Sequence, residues 1–591
     1  MNIFTDGLTV LSNQIWTVFS ILLAILWGQI LITALLRKIF KDQLTNSDYM
    51  SLGLAGWILP VTFFSMLLFA GVFLFGEIAK VIISSLAVLA LIYALVIQRL
   101  NRLPFFAGIA FVGVFAISLI LQLAFIKKML LPSYFDSAEH YRIIKYFSEY
   151  YASSGGSFPL VNYYHLGFHL LSATVAHVFH LSIVDAMLVF GQVILAILPF
   201  SLFFIVKQET GSTIAAVFTC LLAGVGWHMP AHVVDWGKYP TLFSLIGIHF
   251  ILNIGYLICK HSQRKPERFA LSWLFGLSVF VSALLHTRSI IIFVFMGISF
   301  LLMIWRKRLP LLFQRLVFAL VTLLLIAEII AVQNRSVFAL LFETYIGQDI
   351  YATGLVIFLF IFSALAFPDL TFFLLVLLSL MMAGLFVPVT GVLGYGTLTL
   401  LDRPYVQMLL YLPLSMFGGL GLAGLHQFIQ RFSFHPRLLS KLVNLLLIGI
   451  VILNAGVNHS FYSSDCCQIA SHDDLSAIHW MDNMLPREVT VLIASANLYV
   501  TSLESPDTLT GVDGGIWVAP LISRKTAPMR GDVNFEQPEI HAEICKKNFG
   551  YIYVGGTSQS FNALQLDRHA DWYQVAFSLP AAKVYQVIGC G

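Results

Sequence analysis

Long apolar stretches recur along this chain from Leu11 to about Leu453. A helix that crosses a lipid bilayer needs about 20 mostly apolar residues, and many of these stretches reach that length. Of the 591 residues, 59% are hydrophobic and 11% are charged. Soluble domains are about 45–50% apolar and about 25% charged. The sequence therefore predicts a polytopic α-helical membrane protein.

We predict about fourteen spans from these stretches and the polar residues that bound them. The first span lacks a basic n-region and a small-residue cleavage site, which favours a retained helix over a signal peptide. The two stretches around Pro368 are also compatible with one re-entrant element. The predicted spans lie near residues 15–36, 51–75, 80–97, 104–126, 183–206, 212–227, 240–259, 269–285, 289–305, 314–332, 354–367, 369–387, 405–425 and 438–456.

Basic residues gather in alternate loops of the chain. Positively charged loops stay in the cytoplasm, so the remaining loops and the C-terminal tail are predicted to be extracytoplasmic. The net charge of +4 is small and spread over many loops, which gives no indication of a nucleic-acid partner. We expect a multi-pass protein of the cell membrane. The basic loops are "RKIFK" (37–41), "QRLNR" (98–102), "KHSQRKPER" (260–268), "WRKRLP" (305–310) and "QRFSFHPR" (430–437).

Four parts follow from this pattern. In the second of them, apolar residues at helical spacing predict helices over 136–151 and 165–181, separated by "SSGGS" at 153–157. We expect both helices to lie in the membrane interface with the apolar face down and the polar face up. The parts are N-terminal membrane helices (1–126), an extracytoplasmic segment (127–182), further membrane helices (183–456) and an extracytoplasmic α/β domain (457–591).

The tail differs in composition from the rest of the chain. A helix over 473–486, begun by an Asp cap, and strands over 488–495, 550–556 and 583–589 predict a small α/β domain. Four cysteines of the tail permit disulfides in an oxidising compartment, but their pairing cannot be read from the sequence. They are Cys466, Cys467, Cys545 and Cys590.

Titratable residues gather in "LLPSYFDSAEHYRIIKYF" (131–148), directly after an apolar span. Asp136 and Glu139 share a helical face with His140 close by. A carboxylate there can serve as a general base, and the three side chains together can hold a divalent cation. The alternative is a capping box with Asp in place of Ser or Thr, which does not exclude catalysis.

Two histidines lie four residues apart in "NYYHLGFHLL" (162–171). His165 and His169 have the spacing of a metal-binding pair, but the glutamate of a zinc-protease motif and a third ligand are missing. We therefore favour aromatic and histidine groups at headgroup level, where they can line a polar cavity.

Three cations stand where loops meet spans. Lys238 in "DWGKYP" either pairs with Asp235 or binds an anionic headgroup. Arg288 in "HTR" and Arg403 in "LLDRPY" either extend along the membrane surface or bind a phosphate, which suits the geometry of a guanidinium.

Several blocks of the chain resemble the GT-C superfamily of integral membrane glycosyltransferases, in particular its uncharacterised bacterial and archaeal members. They cover much of the chain from about residue 127 onward, and the first four spans are poorly covered. The blocks are "FDSAEHYRIIKYF", "YHLGFHLLSA", "WGKYPTLFSL", "RPYVQMLLYLPLSMFGGLGL" and "GGIWVAPLISRKTAP".

This resemblance implies an enzyme of the EC 2.4 class. It implies a sugar transfer from a polyprenyl-phosphate donor at the outer membrane face, by an inverting displacement. The acceptor, whether glycan, lipid or protein, stays open. A divalent cation held by Asp136, Glu139 and His140 stays open too. The implied roles are a base and its supporting carboxylate (Asp136, Glu139), the acceptor side (His140, His165, His169) and the donor phosphate site (Lys238, Arg288, Arg403).

Two other classes of function fit parts of the pattern. A transporter of solutes or lipid-linked glycans suits a chain with many spans, and Glu328 in "LLIAEIIAV" is the best candidate for a coupling residue. Against it, the sequence shows no inverted repeat and few charges within spans. A non-catalytic scaffold would use "GGIWVAPLISRKTAP" as an interaction loop.

Overall fold

A computed structural model describes residues 3–590, apart from 41–42, 99–104, 154–164, 261–264, 337, 390–397, 433–434 and 498–508. The predicted break at 153–157 and parts of the basic loops therefore lie outside the described residues. The α-helices are α1 (Ile3–Asn13), α2 (Ile15–Phe40), α3 (Asn46–Gly56), α4 (Ile58–Phe75), α5 (Glu77–Gln98), α6 (Phe105–Ala124), α7 (Phe135–Ser153), α8 (Gly167–Phe179), α9 (Ile183–Ile197), α10 (Phe203–Thr210), α11 (Thr213–Val225), α12 (Tyr239–Lys260), α13 (Lys265–Leu285), α14 (Ser289–Arg306), α15 (Leu311–Gln333), α16 (Ile350–Ala366), α17 (Pro368–Gly384), α18 (Arg403–Leu409), α19 (Tyr411–Phe432), α20 (Pro436–Val457), α21 (His472–Met484), α22 (Val518–Ile522), α23 (Pro538–Lys546) and α24 (Ala563–Arg568).

Every predicted span falls on a helix, so the predicted fold class is confirmed. Within the described residues, ten helical segments are long and apolar enough to cross a membrane. The other four predicted spans fall on α6, α11, α16 and α17, which are apolar but shorter over their described length. The long segments are Ile15–Phe40, Asn46–Phe75, Glu77–Val96, Ile183–Thr210, Tyr239–Lys260, Lys265–Leu285, Ser289–Arg306, Leu311–Gln333, Arg403–Phe432 and Pro436–Val457.

The helices α16 and α17, on either side of Pro368, run between the two ends of the bundle. At the head of α16, Asp349 accepts a hydrogen bond from the backbone of His228, in the loop predicted to lie outside. At the head of α17, Asp369 forms an ion pair with Arg306 of a basic loop, at 2.7 Å. Each helix of 17 residues is about 25 Å long. The geometry thus favours two crossings over one re-entrant element. We call the end with the basic loops the basic end and the other the site end.

The sequence predicted that α7 and α8 lie on the surface with a solvated polar face. The structure shows that they do not. In α8, residues 167–176 are all buried, because the helix packs among α4, α7, α9, α12 and α13. One side of α7 faces this bundle. Its opposite side is covered by the C-terminal region, where Tyr141 lies 5.7 Å from Trp517 between ring centroids and Lys145 donates to the Pro520 carbonyl at 2.9 Å. We call these the bundle-facing side and the sheet-facing side of α7.

The C-terminal region is the predicted α/β structure. In its sheet, β3 pairs in parallel with β5 and β6 and antiparallel with β4, and β8 lies between β6 and β7. Leu492, Ile552 and Tyr585 on neighbouring strands are fully buried and form its core. The strands are β1 (Pro388–Val389) and β2 (Leu398–Thr399), which form a separate hairpin, and β3 (Thr490–Asn497), β4 (Leu509–Gly511), β5 (Lys525–Arg530), β6 (Tyr551–Val554), β7 (Tyr573–Leu579) and β8 (Ala582–Val587).

Two details of this region go beyond the sequence prediction. The cap of α21 is Ser471, which forms a capping box with Asp474, so the predicted Asp cap is wrong. A disulfide joins Cys545 to Cys590, which ties the end of the chain to α23. Cys467 is buried.

Glycines bring α19 into close contact with its neighbours. A Cβ atom at Gly421 would lie 2.2 Å from the carbonyl oxygen of Leu359 in α16, and one at Gly424 would lie 2.4 Å from that of Phe362. Small residues that let helix backbones approach are typical of packing within membranes. Glycine is therefore required along this face of α19.

Candidate active site

The predicted site residues come from loops and helix ends that meet at the site end of the bundle. The first contributor is the head of α7, against which the loop before α12 is packed. At Gly237 in that loop φ is +63°, and a Cβ atom there would lie 2.7 Å from the Ser137 hydroxyl. Only glycine allows this close approach with a left-handed backbone, and it brings the next residue, Lys238, onto α7.

Asp136 and Lys238 form an ion pair across this contact. Because α7 begins at Phe135, Asp136 lies within the first turn and is not its N-cap. The carboxylate is buried, and Lys238 bonds to Oδ2. Among the residues that the structure describes, no group hydrogen-bonds to Oδ1, which is also buried. A buried carboxylate oxygen is thus left available to a further donor.

The alternative pairing of Lys238 with Asp235 is not formed. Asp235 instead accepts hydrogen bonds from His232 at 2.9 Å and from the hydroxyl groups of Ser463 and Ser464 at 2.6 and 3.0 Å. Partial burial alone would lower the pKa of Lys238, but the neighbouring Asp136 carboxylate outweighs it and holds that pKa above its ordinary value. Lys238 is therefore a cation at neutral pH.

The histidines form two chains of contacts beside this ion pair. His140 Nδ1 lies 2.9 Å from His169 Nε2. The ring centroid of His165 lies 4.6 Å from that of His286, which stacks on Tyr405 at 5.0 Å. His165 comes just before α8, so the predicted pair does not share a helical face, but both rings reach the site.

Burial keeps these imidazoles neutral. It lowers the pKa of His140 to about 4, against the opposing effect of Asp136. Burial, His140 and the charges of Arg288 and Lys238 lower the pKa of His165 to about 3. The same surroundings hold the pKa of His286 well below its usual range. At neutral pH each ring has one donor and one acceptor nitrogen.

Arg288 faces the same histidines from the turn between α13 and α14. It forms an ion pair with Asp402, which also caps α18 by accepting from the Tyr405 backbone at 2.9 Å. The charges of Lys238 and Arg288 act on both His165 and His286, and Asp402 acts on Lys238. The two cations therefore both act on these histidines. Their side chains are 31% and 32% exposed, so a ligand can reach both.

Glu139 is on the other side of α7. Its carboxylate pairs with Arg142 at 2.7 Å, and both line a crevice of about 20 Å³ against Ile493 and Thr510 of the sheet. It therefore contacts the C-terminal region, whereas Asp136 contacts the loop before α12.

Arg403 is half-buried beside Asp402. In the described parts of the chain, Arg403 takes no part in the ion pairs of Lys238 with Asp136 and of Arg288 with Asp402.

The predicted cation ligands are not gathered around one point. In the described residues, one group of three His, Cys, Asp or Glu side chains has its ligand atoms within 4.8 Å of one another, and it is His541, Cys545 and Cys590. Two of these are joined in the disulfide. Asp136 and Glu139 lie on opposite sides of α7, so their carboxylates do not face one common ion.

Sequence reasoning named neither Asp402 nor Tyr405 as site residues, and it placed His286 at this membrane face without a role. A signal for Asp402 was present in "LLDRPY", because Asp before Arg-Pro is a typical helix cap. Glu328, the candidate of the transporter alternative, accepts a hydrogen bond from Ser379 at 2.6 Å, which joins α15 to α17.

Part of the chain matches a protein family, and its fold is similar to that of a solved structure. Residues 52–387 match the model of a family of unknown function, DUF6541. No curated protein matches significantly in sequence. A crystal structure of the Archaeoglobus fulgidus oligosaccharyltransferase in complex with Zn and sulfate is similar, with 12% identity and a TM-score of 0.46 over 80% of this chain and 72% of that chain. A similarity at this level is no evidence for an activity.

Proposed function

We propose that this chain, which belongs to the family of unknown function DUF6541, is a membrane glycosyltransferase. It moves a sugar from a polyprenyl-phosphate donor to an acceptor hydroxyl at the site end of the bundle. The observation that carries the proposal is the ion pair of Lys238 with the buried Asp136, whose Oδ1 has no hydrogen bond among the described residues. Arg288 acts on the same histidines as Lys238. Lys238 and Arg288 stand just before apolar helices, and we place the lipid phosphate there.

Asp136 is the general base. The acceptor oxygen attacks the anomeric carbon of the donor, and the bond from that carbon to the phosphate oxygen breaks. The acceptor proton goes to the free Oδ1 of Asp136, and the bonding electrons leave with the lipid phosphate. A positioned base contributes about 10²–10⁴-fold to such a step. One direct displacement inverts the anomeric centre.

Lys238 and Arg288 stabilise the departing phosphate. Negative charge grows on the phosphate oxygens as the bond breaks, and cations placed there in advance lower the barrier. Arg288 uses Nη1 for Asp402, and a guanidinium has five N–H groups. Most of its donors therefore remain for a phosphate, which can bridge the two cations.

The neutral histidines lie on the acceptor side. His140 is next to Asp136 on α7, with His169 bonded behind it, so the two rings can accept from or donate to hydroxyl groups. His140 and Arg288 both act on His165 and lower its pKa. A set of neutral donors and acceptors suits an uncharged, hydroxyl-rich acceptor.

The site end and the C-terminal region are extracytoplasmic in this proposal. The basic residues of 37–40 and 305–310 lie at the opposite end, and the positive-inside rule puts that end in the cytoplasm. The disulfide between Cys545 and Cys590 supports this orientation, because disulfides persist in oxidising compartments. The partners are then a lipid-linked donor, the bilayer and a glycan, lipid or protein acceptor.

The test is donor consumption by membranes that contain the protein. A panel of labelled polyprenyl-phosphate sugars is incubated with wild type, with Asp136→Asn and with Glu149→Gln. Glu149 is an exposed carboxylate of the same helix, so its variant controls for loss of charge on α7. We expect transfer or slow donor hydrolysis by wild type and Glu149→Gln, and loss of both by Asp136→Asn.

Two results would count against the proposal. Equal turnover by Asp136→Asn and wild type would remove Asp136 as the base. No consumption of any donor in a panel that covers hexoses, pentoses and acetamido sugars would argue against polyprenyl-phosphate sugars as substrates. Size-exclusion profiles of each variant establish that it is folded.

A further inference from the structure

Three histidines meet at the site end, next to the candidate active site but separate from it. His228 and His232 lie in the loop that leads to Lys238, and His459 follows α20. Their ring centroids are 5.3 Å apart for the first two, and 5.7 and 6.3 Å from each of these to His459. All three side chains are largely buried.

Two of the three rings are bonded to a carboxylate through one nitrogen. Nδ1 of His228 lies 2.8 Å from Asp349, and Nδ1 of His232 lies 2.9 Å from Asp235. These bonds set the tautomer of each neutral imidazole, in which Nε2 carries the lone pair.

Other nitrogens of these rings have no hydrogen-bond partner in the part of the chain that the structure describes. In the described residues, Nε2 of His232 and Nδ1 of His459 are buried without a hydrogen-bond partner. Nδ1 of His228 is taken by Asp349, so the nitrogen left over is Nε2. A buried polar atom left unbonded costs about 1–3 kcal/mol. Two such atoms in one cluster indicate a ligand that accepts their lone pairs.

The carboxylates behind the rings are themselves fixed. Asp349 accepts from the His228 backbone at 2.7 Å and from Asn454 at 3.4 Å, and Asp235 accepts from Ser463 and Ser464. Histidines that bind a metal almost always donate their second nitrogen to a carboxylate or a carbonyl in this way. The cluster has that arrangement for His228 and His232.

We propose that His228, His232 and His459 bind one divalent zinc-class ion. The ligand atoms are Nε2 of the first two and Nδ1 of the third, and three imidazoles are a common zinc set that leaves a fourth position for water. The three nitrogens are not all within 4.8 Å of one another, whereas each would lie about 2.0–2.1 Å from a bound ion. Binding therefore turns the rings inward about their side-chain bonds.

Such an ion would join parts of the chain that are distant in sequence. Through Asp349 and Asp235 it connects the head of α16, the loop that carries Lys238 and the segment after α20. That segment continues into the C-terminal region, where the Cys467 carbonyl accepts from the backbone of Tyr134, just before α7. The inference does not depend on the proposed transferase activity.

The test is metal binding by the purified, oxidised protein in detergent. Each variant is stripped with a chelator, exchanged into Zn²⁺ or Co²⁺ and analysed for bound metal and for the Co²⁺ absorption spectrum. The variants are His232→Gln, His459→Gln and Asp235→Asn, and His479→Gln is the control because His479 is an exposed residue of α21. Asp136→Asn tests whether a metal binds at the candidate active site instead.

We expect about one ion per chain, with a tetrahedral Co²⁺ spectrum, in wild type, His479→Gln and Asp136→Asn. We expect loss of that ion in both ligand variants and affinity about 10–100-fold weaker in Asp235→Asn. No bound ion in wild type overturns the proposal. So does an ion that persists in His232→Gln and His459→Gln, or one that is lost in Asp136→Asn alone. If either ligand variant fails to fold, the wild-type stoichiometry and Asp235→Asn still decide the outcome.

Discussion

The two sides of α7 use similar residues for different purposes. On the bundle-facing side, Asp136 meets Lys238 and keeps one carboxylate oxygen without a hydrogen bond among the described residues. On the sheet-facing side, Glu139 meets Arg142 and lines a crevice of about 20 Å³, too small for a sugar. A carboxylate beside a cation is thus a candidate base on one side of the helix and a docking contact on the other.

The largest difference between the two sides is expected for removal of the carboxylate charge at Asp136. Asp136→Asn keeps the size of the side chain but cannot accept the acceptor proton, so turnover should fall by about 10²–10⁴-fold. Glu139→Gln should change turnover by less than about tenfold. Single-turnover rates with a labelled donor measure both, and equal losses would break the comparison.

The next largest effect is expected at the proposed phosphate site. Arg288→Gln removes a charge-assisted hydrogen bond to the donor, and KM for the donor should rise about 10- to 100-fold. Arg315→Gln, which changes an exposed arginine of α15, is the matched control. A KM for Arg288→Gln within about twofold of that control would show that Arg288 serves only Asp402.

Acid should destabilise the bundle-facing side. Burial lowers the pKa of His140 to about 4 and that of His165 to about 3, below the unfolded value of about 6.5. The unfolded chain then binds more protons between those values, so stability is present above about pH 6.5 and is lost as pH falls. Each histidine contributes about 1.4 kcal/mol per pH unit within that range.

Unfolding free energies of wild type and His140→Gln, measured from pH 7 to 5, test this dependence. The variant should have the shallower slope, because it lacks one of the histidines whose pKa is lowered by folding. Slopes that agree within error would show that folding does not lower the pKa of His140.

The smallest effects are expected on the sheet-facing side. Glu139→Gln removes the carboxylate charge from its ion pair with the largely buried Arg142 and should cost about 1–3 kcal/mol. Lys145→Met removes hydrogen bonds to Pro520 and Ser523 and should cost about 1 kcal/mol. Thermal unfolding measures both. A larger loss for Lys145→Met than for Glu139→Gln would reverse the proposed ranking.

Much of the fold could be predicted because each span carries its own signal. Apolar length identifies a membrane helix without knowledge of its neighbours. Asp136, Lys238 and Arg288 could be named as candidates for a related reason. Ionisable residues at membrane edges are rare and are often functional.

The pairings could not be predicted, because they join distant parts of the chain. Lys238 lies 102 residues from Asp136 and three from Asp235, yet Asp235 is taken by serines that lie 228 and 229 residues away. Arg288 and Asp402 are 114 residues apart. The side of α7 that Glu139 takes depends on a sheet that packs over it, which helical spacing does not indicate.

The packing of the α19 glycines within the bilayer affects the proposed donor site at a distance. Arg403–Phe432 runs as one long span, with Asp402 just before its head and Gly421 about 28 Å further along. A methyl group at Gly421 would clash with the Leu359 carbonyl and tilt this span. Asp402, which pairs with Arg288, lies just before the first residue of the span. Gly421→Ala should therefore weaken donor binding although Gly421 is far from the proposed donor site. An unchanged KM would show that the span bends near Gly421 and that its first turn stays in place.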